Sequence, residues 1–275
     1  MSVEPPRLPA PREARRRDTA SRIALPIVVL ALGVLAWDLA VRFTGTQAYE
    51  VPGPGRVFAT LVSDWPILSA SLVVTLTTTF EALGLAVLGG VALAILFSQS
   101  RLVEYSLYPY AVILQVTPVV AIAPLLLIYL PQPAAVLACA WIVAFFPVLA
   151  NTTLGLSSVD RNLIDLFTLY GASRAQVLLH LRLPAALPSM LTGVRIAGGL
   201  SLIGAVVAEI AAGSAGAGSG LAFRIAESGN RLMIPRMFAA LLLLSLAGIA
   251  IFFLLSLLSH AVLHRWHESA LAPER

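Results

Sequence analysis

Six apolar stretches, each long enough to cross a lipid bilayer as a helix, constrain the fold of this chain more than any other feature. A membrane-spanning helix needs about 20 mostly apolar residues, and inside lipid every backbone N–H and C=O must be satisfied internally. The stretches cover about 23–43, 70–97, 106–129, 133–154, 188–212 and 237–262. The sequence therefore predicts an all-α integral membrane protein with six transmembrane helices.

The composition excludes a soluble globular protein. Apolar residues make up 59 % of the chain and charged residues only 12 %, against about 25 % charged in soluble domains. So few charges cannot cover a water-facing surface, and the surroundings are membrane lipid instead. The net charge of +4 is concentrated beside the apolar stretches, where membrane orientation explains it, and we expect no nucleic-acid partner.

Prolines divide the third stretch. Pro109, Pro118 and Pro124 lie within it, and each removes a backbone donor from a helix. A span can tolerate this where neighbouring helices satisfy the freed groups. We therefore predict that the third span is kinked or partly broken, and that Leu130-Pro-Gln-Pro133 forms a tight hairpin to the fourth.

The ends of the chain are polar. Residues 1–22 are rich in proline and arginine and are expected to form a disordered basic cytoplasmic tail. Residues 23–262 form the six-helix transmembrane domain, and 263–275 form a cytoplasmic C-terminal tail. A cleaved signal peptide has an apolar core of roughly 7–15 residues. The first apolar stretch is longer and ends at Val41-Arg42-Phe43, so we expect a retained span.

Arginine positions predict the orientation, because cytoplasmic segments carry the excess of basic residues. With the N-terminus inside, twelve arginines lie in cytoplasmic segments and five lie outside. The inside set is Arg7, Arg12, Arg15, Arg16, Arg17, Arg22, Arg101, Arg161, Arg174, Arg182, Arg265 and Arg275. The outside set is Arg42, Arg56, Arg224, Arg231 and Arg236. Both termini are therefore predicted in the cytoplasm.

Several site classes are excluded or disfavoured. The chain has no lysine, whereas the phosphate-binding loop of P-loop ATPases requires one, so the glycine-rich run 213–220 is a flexible connector. No H-E-x-x-H motif occurs, and His260 and His264 favour an interfacial position over a metal site. Cys139 is the single cysteine and cannot form an internal disulfide. We expect no enzyme activity, metal or cofactor in this chain.

Four ionisable residues lie inside the predicted spans: Asp38, Glu81, Arg195 and Glu209. Such residues are costly in lipid and are candidates for function. For Asp38 we favour an ion pair with Arg42, one helical turn on. Arg195 lies near the inner end of the fifth span, where its long side chain can reach the headgroups.

Glu209 ends a row of small residues at steps of four. The row is Gly193, Ala197, Ser201 and Ala205. Such rows let helix backbones approach closely, so one interpretation is helix packing, with Glu209 bonded to a neighbour. The other places Glu209, Ser201 and Ala205 on a transport pathway, with Glu209 near its outer mouth.

Glu81 lies beside a second row of small residues, again at steps of four. This row is Ala82, Ala86, Gly90 and Ala94. Helix packing is the favoured interpretation here, and Glu81 stays a candidate for the pathway. The threonines at 75 and 77–79 either bond between helices or line a passage.

The segment 155–187, between the fourth and fifth stretches, is too polar to span and too long for a tight turn. Residues 160–170 have helical apolar spacing, and Gly171 ends that helix. A second short helix over 172–181 is predicted to end at Leu183-Pro184. Two short helices hinged at a glycine make a compact projection, called the knob below.

The knob carries a recognisable spacing. Asp165-Leu166-Phe167 is followed after three residues by Gly171, and after nine more by Leu181-Arg-Leu-Pro184. This resembles the "EAA" loop of ABC-importer permeases, with the pattern E-A-A-x3-G-x9-I-x-L-P. Asp-Leu-Phe replaces Glu-Ala-Ala here. The segments 51–54, 117–124 and 206–209 are also similar to the nitrate/sulfonate/taurine-type branch.

The resemblance covers most of the chain and implies one half of a transmembrane channel, a homodimer in the bacterial inner membrane. A separate ATP-binding subunit binds ATP and Mg, and a periplasmic binding protein delivers the solute. The knob would be the coupling-helix loop that docks on the ATPase. The implied docking residues are Asp165, Leu166, Phe167, Gly171, Ala172, Ser173, Arg174, Leu181, Leu183 and Pro184.

The alternative function is a secondary transporter or channel that uses no nucleotide. Such proteins usually show internal repeats, and no convincing repeat relates residues 1–130 to 131–275. The solute is not readable from the sequence. The resemblance leaves nitrate, a sulfonate, taurine, bicarbonate or a pyrimidine precursor open.

Overall fold

The structure, a computed structural model, describes residues 12–45, 47, 50–213 and 218–264. This part of the chain contains eleven α-helices, one π-helical turn and no β-strand. The helices are α1 (Arg12–Thr44), α2 (Pro54–Ser63), α3 (Trp65–Gln99), α4 (Arg101–Val116), α5 (Val119–Tyr129), α6 (Gln132–Ser157), α7 (Arg161–Leu169), α8 (Arg174–Val177), α9 (Leu183–Ala212), α10 (Leu221–Asn230) and α11 (Ile234–Leu263). The π turn is Leu178–Arg182. The predicted all-α fold is confirmed.

Five helices in the described ranges are long and apolar enough to cross a membrane. They are the Ala24–Thr44 part of α1, then α3, α6, the continuous helix Arg174–Ala212 and α11. The pair α4 and α5 passes the same test together but is bent by 100°. The bend falls at Thr117 and Pro118, whose backbones are extended, because a residue before proline is pushed out of the helical region.

The bent pair joins opposite ends of the bundle. α3 finishes beside the knob, where Arg182 Nη1 donates to the Ser98 carbonyl at 3.1 Å. α6 begins at the other end, where Gln132 lines a cavity together with Glu209 and Gly220 just before α10. The segment between α3 and α6 must therefore cross the bundle, and α4–α5 is one broken span. Six spans result, with the break where the prolines predicted it.

The centre of the bundle is α6, which packs against α9 and α3. Small residues bring these helices close together. A Cβ added to Gly204 would lie 2.8 Å from the Ala140 Cα, and one on Gly193 would lie 2.8 Å from the Pro147 carbonyl oxygen. The predicted small-residue rows are therefore packing surfaces.

Helix α1 lies at the periphery. Its Trp37 ring stacks on Phe238 at the start of α11, with centroids 6.0 Å apart. Asp38 forms the predicted ion pair with Arg42, at 2.8 Å between Oδ2 and Nε. Large apolar side chains such as Leu30, 69 % exposed, face away from the bundle.

Two predicted boundaries need correction. α1 begins at Arg12, so residues 12–22 are helical rather than disordered, because extending an existing helix avoids the nucleation cost. Of the predicted tails, 1–22 and 263–275, residues 1–11 and 265–275 lie outside the described residues. The second knob helix does not stop at Pro184 but continues through α9. The π turn shifts the hydrogen bonding just before Pro184: the Leu183 N–H donates to the Leu178 carbonyl, so the proline interrupts no regular ladder.

Candidate functional site

Two regions at opposite ends of the bundle carry the candidate functional residues. The α10 end contains Glu209 and the buried N-terminus of α10. The knob end contains α7, the turn at Gly171 and α8. The helix directions place the first residues of α1 and the last residues of α11 at the knob end, since Trp37 and Phe238 meet near the α10 end.

At the α10 end, a short helix is packed into the bundle rather than lying on its surface. Leu221 and Ala222, the first two residues of α10, are fully buried. Leu221 packs in one apolar cluster with the fully buried Leu68 of α3. The first backbone N–H groups of any helix have no partner within the helix. Buried here, those of α10 need acceptors from elsewhere in the chain.

Glu209 and Thr75 supply these acceptors. The Ala222 N–H donates to Glu209 Oε2 at 3.0 Å, and the Leu221 N–H donates to Thr75 Oγ1 at 2.8 Å. The Thr75 hydroxyl in turn donates to Glu209 Oε1 at 2.8 Å. Glu209 is 6 % exposed and Thr75 fully buried. A carboxylate is also stabilised at a helix N-terminus by the helix dipole. We call this arrangement the α10 latch.

Gly220 completes the α10 latch. A Cβ added at this position would fall on the Glu209 carboxyl group, so any larger residue displaces one or the other. Glycine is needed here for space, because the chain passes directly over the carboxylate before α10 begins.

Glu209 is hydrogen-bonded to neighbouring groups, as one interpretation of the sequence predicted. No arginine contacts Glu209 in the described ranges. Instead, Arg224 Nη1 lies 2.8 Å from Glu227 Oε2, and Arg231 Nη2 lies 3.1 Å from Glu227 Oε1. Both arginines therefore pair within their own helical turn.

Ser201 and Ala205 do not line an open surface. Both are fully buried; Ala205 belongs to a cluster with Ala82 and Ala140, and the Ser201 hydroxyl donates to the Gly198 carbonyl at 3.0 Å. Of the two interpretations that the sequence left open for these residues, their burial favours helix packing. Their small size serves close approach of α9 to α3 and α6.

A cavity of about 210 Å³ lies against the α10 latch. Its wall is formed by Glu209, by Val74 and Thr78 of α3, by the start of α6, and by the segment before α10. None of the ten described residues that line it is basic.

Glu81 lies near the middle of the 35-residue helix α3 and is exposed. Among the described residues it has no hydrogen bond or ion pair, in contrast to Glu209. Its neighbour Ala82 is fully buried in the bundle, so one face of α3 packs against other helices and the face with Glu81 lies on the surface of the chain.

At the knob end, local sequence defines each turn. The Asp160 side chain caps α7 by accepting from the Asn162 N–H at 2.9 Å. Gly171 ends α7, as the sequence predicted, and has φ +71°, a left-handed conformation that favours glycine. Ser173 and Gln176 then form a capping box that starts α8. The Ser173 N–H donates to Gln176 Oε1 at 2.7 Å, and the Gln176 N–H donates to Ser173 Oγ at 3.3 Å.

The tip of the knob exposes large apolar side chains. Leu169 is 85 % and Tyr170 84 % exposed. Beside them, a groove of about 590 Å³ is lined by Leu166, Phe167, Tyr170, Gly171, Ala172, Gln176 and His180. Exposed apolar groups next to a groove are typical of a protein-binding surface.

The knob is attached rigidly to the spans. Helix α8 continues through the π turn into α9 without a loop. Arg182 in that turn reaches α3 through its bond to the Ser98 carbonyl. A displacement of the knob is therefore transmitted directly to α9 and α3.

Most of the predicted docking residues lie together on the knob. Asp165, Leu166, Ser173 and Arg174 are exposed, Phe167 and Ala172 are half-buried, and Gly171 forms the hinge. Leu181, Leu183 and Pro184 are half-buried in the π turn and the start of α9, so they anchor the knob. Sequence reasoning missed Leu169 and Tyr170 as its most exposed residues, although two apolar residues immediately before a hinge glycine were the available signal. It also missed Arg182 as the contact to α3.

Within the described ranges, no group of three or more histidine, cysteine or carboxylate side chains is arranged to hold a metal ion.

The architecture defines a multi-pass membrane protein, and comparison with known proteins supplies its class. Residues 86–268 match the family described as "binding-protein-dependent transport system inner membrane component". A probable ABC transporter permease protein of Haemophilus influenzae is 32 % identical over 87 % of this chain and 96 % of the relative. The formylaminopyrimidine transport permease protein ThiX of Halalkalibacterium halodurans is 32 % identical over 82 % of the chain and 88 % of the relative.

A third relative covers nearly the whole chain. The riboflavin transport system permease protein RibX of Chloroflexus aurantiacus is 33 % identical over 95 % of the chain and 98 % of the relative. The fold is similar to a chain in the crystal structure of an amino acid ABC transporter with histidines, with a TM-score of 0.60, 21 % identity and coverage of 74 % of this chain and 98 % of the other. The chain belongs to the binding-protein-dependent inner-membrane permease family. It is the permease subunit of an ABC importer, a transport component rather than an enzyme.

Proposed function

We propose that two copies of this chain form the channel of the importer and that the knob, residues 160–184, is the surface on which a separate ATP-binding subunit docks. ATP and Mg would be bound by that subunit. The observation that carries the proposal is the knob tip, where Leu169 and Tyr170 are more than four-fifths exposed yet fixed by a hinge and a capping box.

The attachment of the knob to α9 and α3 would carry a movement of the docked ATPase to the transport pathway. ATP-driven closure of two ATPase subunits would move two knobs relative to each other. Because α8 runs into α9 and Arg182 bonds to α3, the movement reaches the α10 latch at the opposite end of the same helices, where Glu209 of α9 meets Thr75 of α3. Alternating access then follows from two states, each favoured by one ligand.

The docking proposal also implies an orientation. If the knob meets a cytoplasmic ATPase, the knob end is cytoplasmic and so are both termini. The α10 end then faces the periplasm, where a solute-binding protein delivers its ligand. The α10 latch would hold the outer side closed until the binding protein docks.

The solute class is suggested by the relatives and not by the fold. Two relatives above 30 % identity are named as permeases for formylaminopyrimidine and for riboflavin. We propose a small organic solute of this general kind, with nitrate, sulfonates and taurine as the competing candidates.

The docking proposal is tested at Tyr170. Tyr170→Asp places a charge in the centre of the exposed apolar tip, where it remains unpaired in a dry interface. We expect loss of most ATPase binding and of transport, with normal membrane insertion. Co-purification of the ATP-binding subunit is the measurement, and Phe58→Asp, at a 64 % exposed apolar position on α2, is the matched control. Wild-type ATPase binding by Tyr170→Asp would refute the docking site.

The orientation is tested by cysteine labelling with an impermeant reagent in intact cells, in a Cys139→Ala background. Cysteines at Ser63 and Leu232 should be labelled from outside and one at Ser158 only after permeabilisation. Leu232 is 71 % exposed, whereas the nearby Ser228 is only 1 % exposed, so a cysteine at position 228 would stay unlabelled because it is buried. Labelling of position 158 in intact cells would reverse the orientation.

A further inference from the structure

Glu81 is an isolated carboxylate on the outer surface of the chain, within a membrane span. It is exposed near the middle of α3 and has no partner among the described residues. A carboxylate facing hydrocarbon at such a depth is strongly disfavoured, and intramembrane charges almost always face a water-filled cavity or the interior of a bundle. The part of the α3 surface around Glu81 is therefore not lipid-facing.

The neighbours of Glu81 identify that face. With 100° between successive helical residues, Val74, Thr78, Glu81, Leu85 and Leu88 form one stripe along α3. Val74 and Thr78 line the cavity beside Glu209. Glu81 lies one turn further along the same stripe, with the exposed Thr77 beside it. Glu81 and two of the residues that line the cavity thus lie on one stripe of α3.

This surface is acidic. It carries Glu209 in the cavity wall and Glu81 beyond it, and none of the ten residues lining the cavity is basic. Arg224 follows the cavity-lining Phe223 in the first turn of α10 and bonds to Glu227 and Ser71. Arg195 lies fourteen residues before Glu209 on α9, about 21 Å toward the knob end and about 12 Å beyond the level of Glu81, at 1.5 Å per residue.

We propose that Glu81 faces the aqueous transport pathway and is a specificity-determining residue that favours neutral or cationic solutes with N–H donors and disfavours anions. The inference rests on the proposed homodimeric channel, in which each copy contributes one Glu81. A fixed negative charge in a narrow passage lowers the local concentration of anions and raises that of cations. It also accepts hydrogen bonds from an amino or amide group of the solute.

The experiment measures both access and charge without requiring the solute. A cysteine replaces Thr77, four residues from Glu81, in a Cys139→Ala background in membranes. Its reaction rates with a cationic and an anionic methanethiosulfonate reagent are each divided by the rate with a free thiol. We expect the cationic reagent to be favoured by about tenfold for one charge one helical turn away. Glu81→Gln should bring the ratio close to one.

The controls separate the alternatives. Val29→Cys, on the peripheral helix α1, should stay unreactive with both reagents. If Thr77→Cys is equally unreactive, the stripe does not face water and the proposal is wrong. It is also wrong if the anionic reagent reacts faster, or if Glu81→Gln leaves the ratio unchanged.

A second measurement tests the solute class in the complete transporter. Proteoliposomes with the permease, its ATPase and its binding protein are assayed for uptake of nitrate, an alkanesulfonate and an aminopyrimidine. Saturable uptake of either anion would overturn the proposal, and uptake of the aminopyrimidine alone, reduced several-fold by Glu81→Gln, would support it. Neither result bears on knob docking, which is judged separately by ATPase binding and Tyr170→Asp.

Discussion

The two ends of the bundle differ in what they bury: the α10 end buries a helix start, and the knob end leaves large apolar side chains exposed. At the α10 end, a buried helix start is satisfied within the chain, since the Leu221 and Ala222 N–H groups bond to Thr75 and Glu209. At the knob end the backbone is also capped, but Leu169 and Tyr170 remain in water. At the α10 end the buried backbone donors find their acceptors within the chain, whereas at the knob the exposed apolar side chains have no partner surface in the described part of the chain. A closed end that can open and an exposed end that requires a partner are the two parts that a coupled importer needs.

The largest expected effect comes from changing the hinge of the knob. Gly171 has φ +71°, and a Cβ added there would have no atom within 4 Å, so a substitution meets a conformational limit and not a steric clash with neighbours. A left-handed conformation costs an L-residue about 1–2 kcal/mol, and β-branched residues more. Gly171→Val should therefore displace the knob and abolish most transport and stimulation of the ATPase by loaded binding protein.

Gly171→Asn is the matched control, because asparagine adopts the left-handed conformation more readily than other non-glycine residues. We expect it to keep most of the stimulated ATP hydrolysis while Gly171→Val loses it, with equal amounts of both variants in the membrane. Equal activity of the two variants would show that the left-handed turn is unimportant for docking.

A smaller effect is expected at the α10 latch. Thr75→Val removes the hydroxyl that both accepts from the Leu221 N–H and donates to Glu209, and leaving a buried donor unsatisfied costs about 1–3 kcal/mol. Glu209→Gln loses one of two acceptor oxygens. Each variant should release α10, raise basal ATP hydrolysis several-fold and weaken its coupling to transport.

Thr79→Val is the control for this pair. Thr79 is also fully buried on α3, but its hydroxyl bonds only to the Thr75 carbonyl of its own helix. Its basal hydrolysis should remain at the wild-type rate. The double variant Thr75→Val/Glu209→Gln should be no more uncoupled than the stronger single variant, because both act on one network. Wild-type coupling in Glu209→Gln would make the latch a packing feature only.

The smallest effect is expected at an ion pair between helix ends at the α10 end of the bundle. Arg236 Nε of α11 lies 2.6 Å from Asp64 Oδ2, between α2 and α3, and both side chains are about one-fifth exposed, at 23 % and 19 %. A partly exposed pair contributes up to about 1 kcal/mol. Asp64→Asn should lower the thermal midpoint of the detergent-solubilised protein slightly and leave transport intact. Loss of coupling in this variant would mean that the whole α10 end, and not the latch alone, controls opening.

Local sequence was sufficient for the features that depend on neighbouring residues. Apolar length predicted the spans, Pro118 predicted the break between α4 and α5, and Gly171 predicted the hinge after α7, since each follows from the chemistry of a few adjacent residues. It failed at Pro184, where a π turn lets the helix continue. It left two interpretations open for Ser201 and Ala205, because a small residue looks the same in the sequence whether it lines a passage or packs against a helix.

The sequence by itself determined that this is a six-span membrane protein with a glycine-hinged knob, because hydrophobic length and backbone preference are properties of contiguous residues. Only the tertiary structure decided what Glu209 binds. Its partners are Thr75, 134 residues away, and the N–H of Ala222, a backbone group that no side-chain pattern marks. A carboxylate takes the nearest buried donors that lack a partner, and which donors these are depends on how α3, α9 and α10 pack.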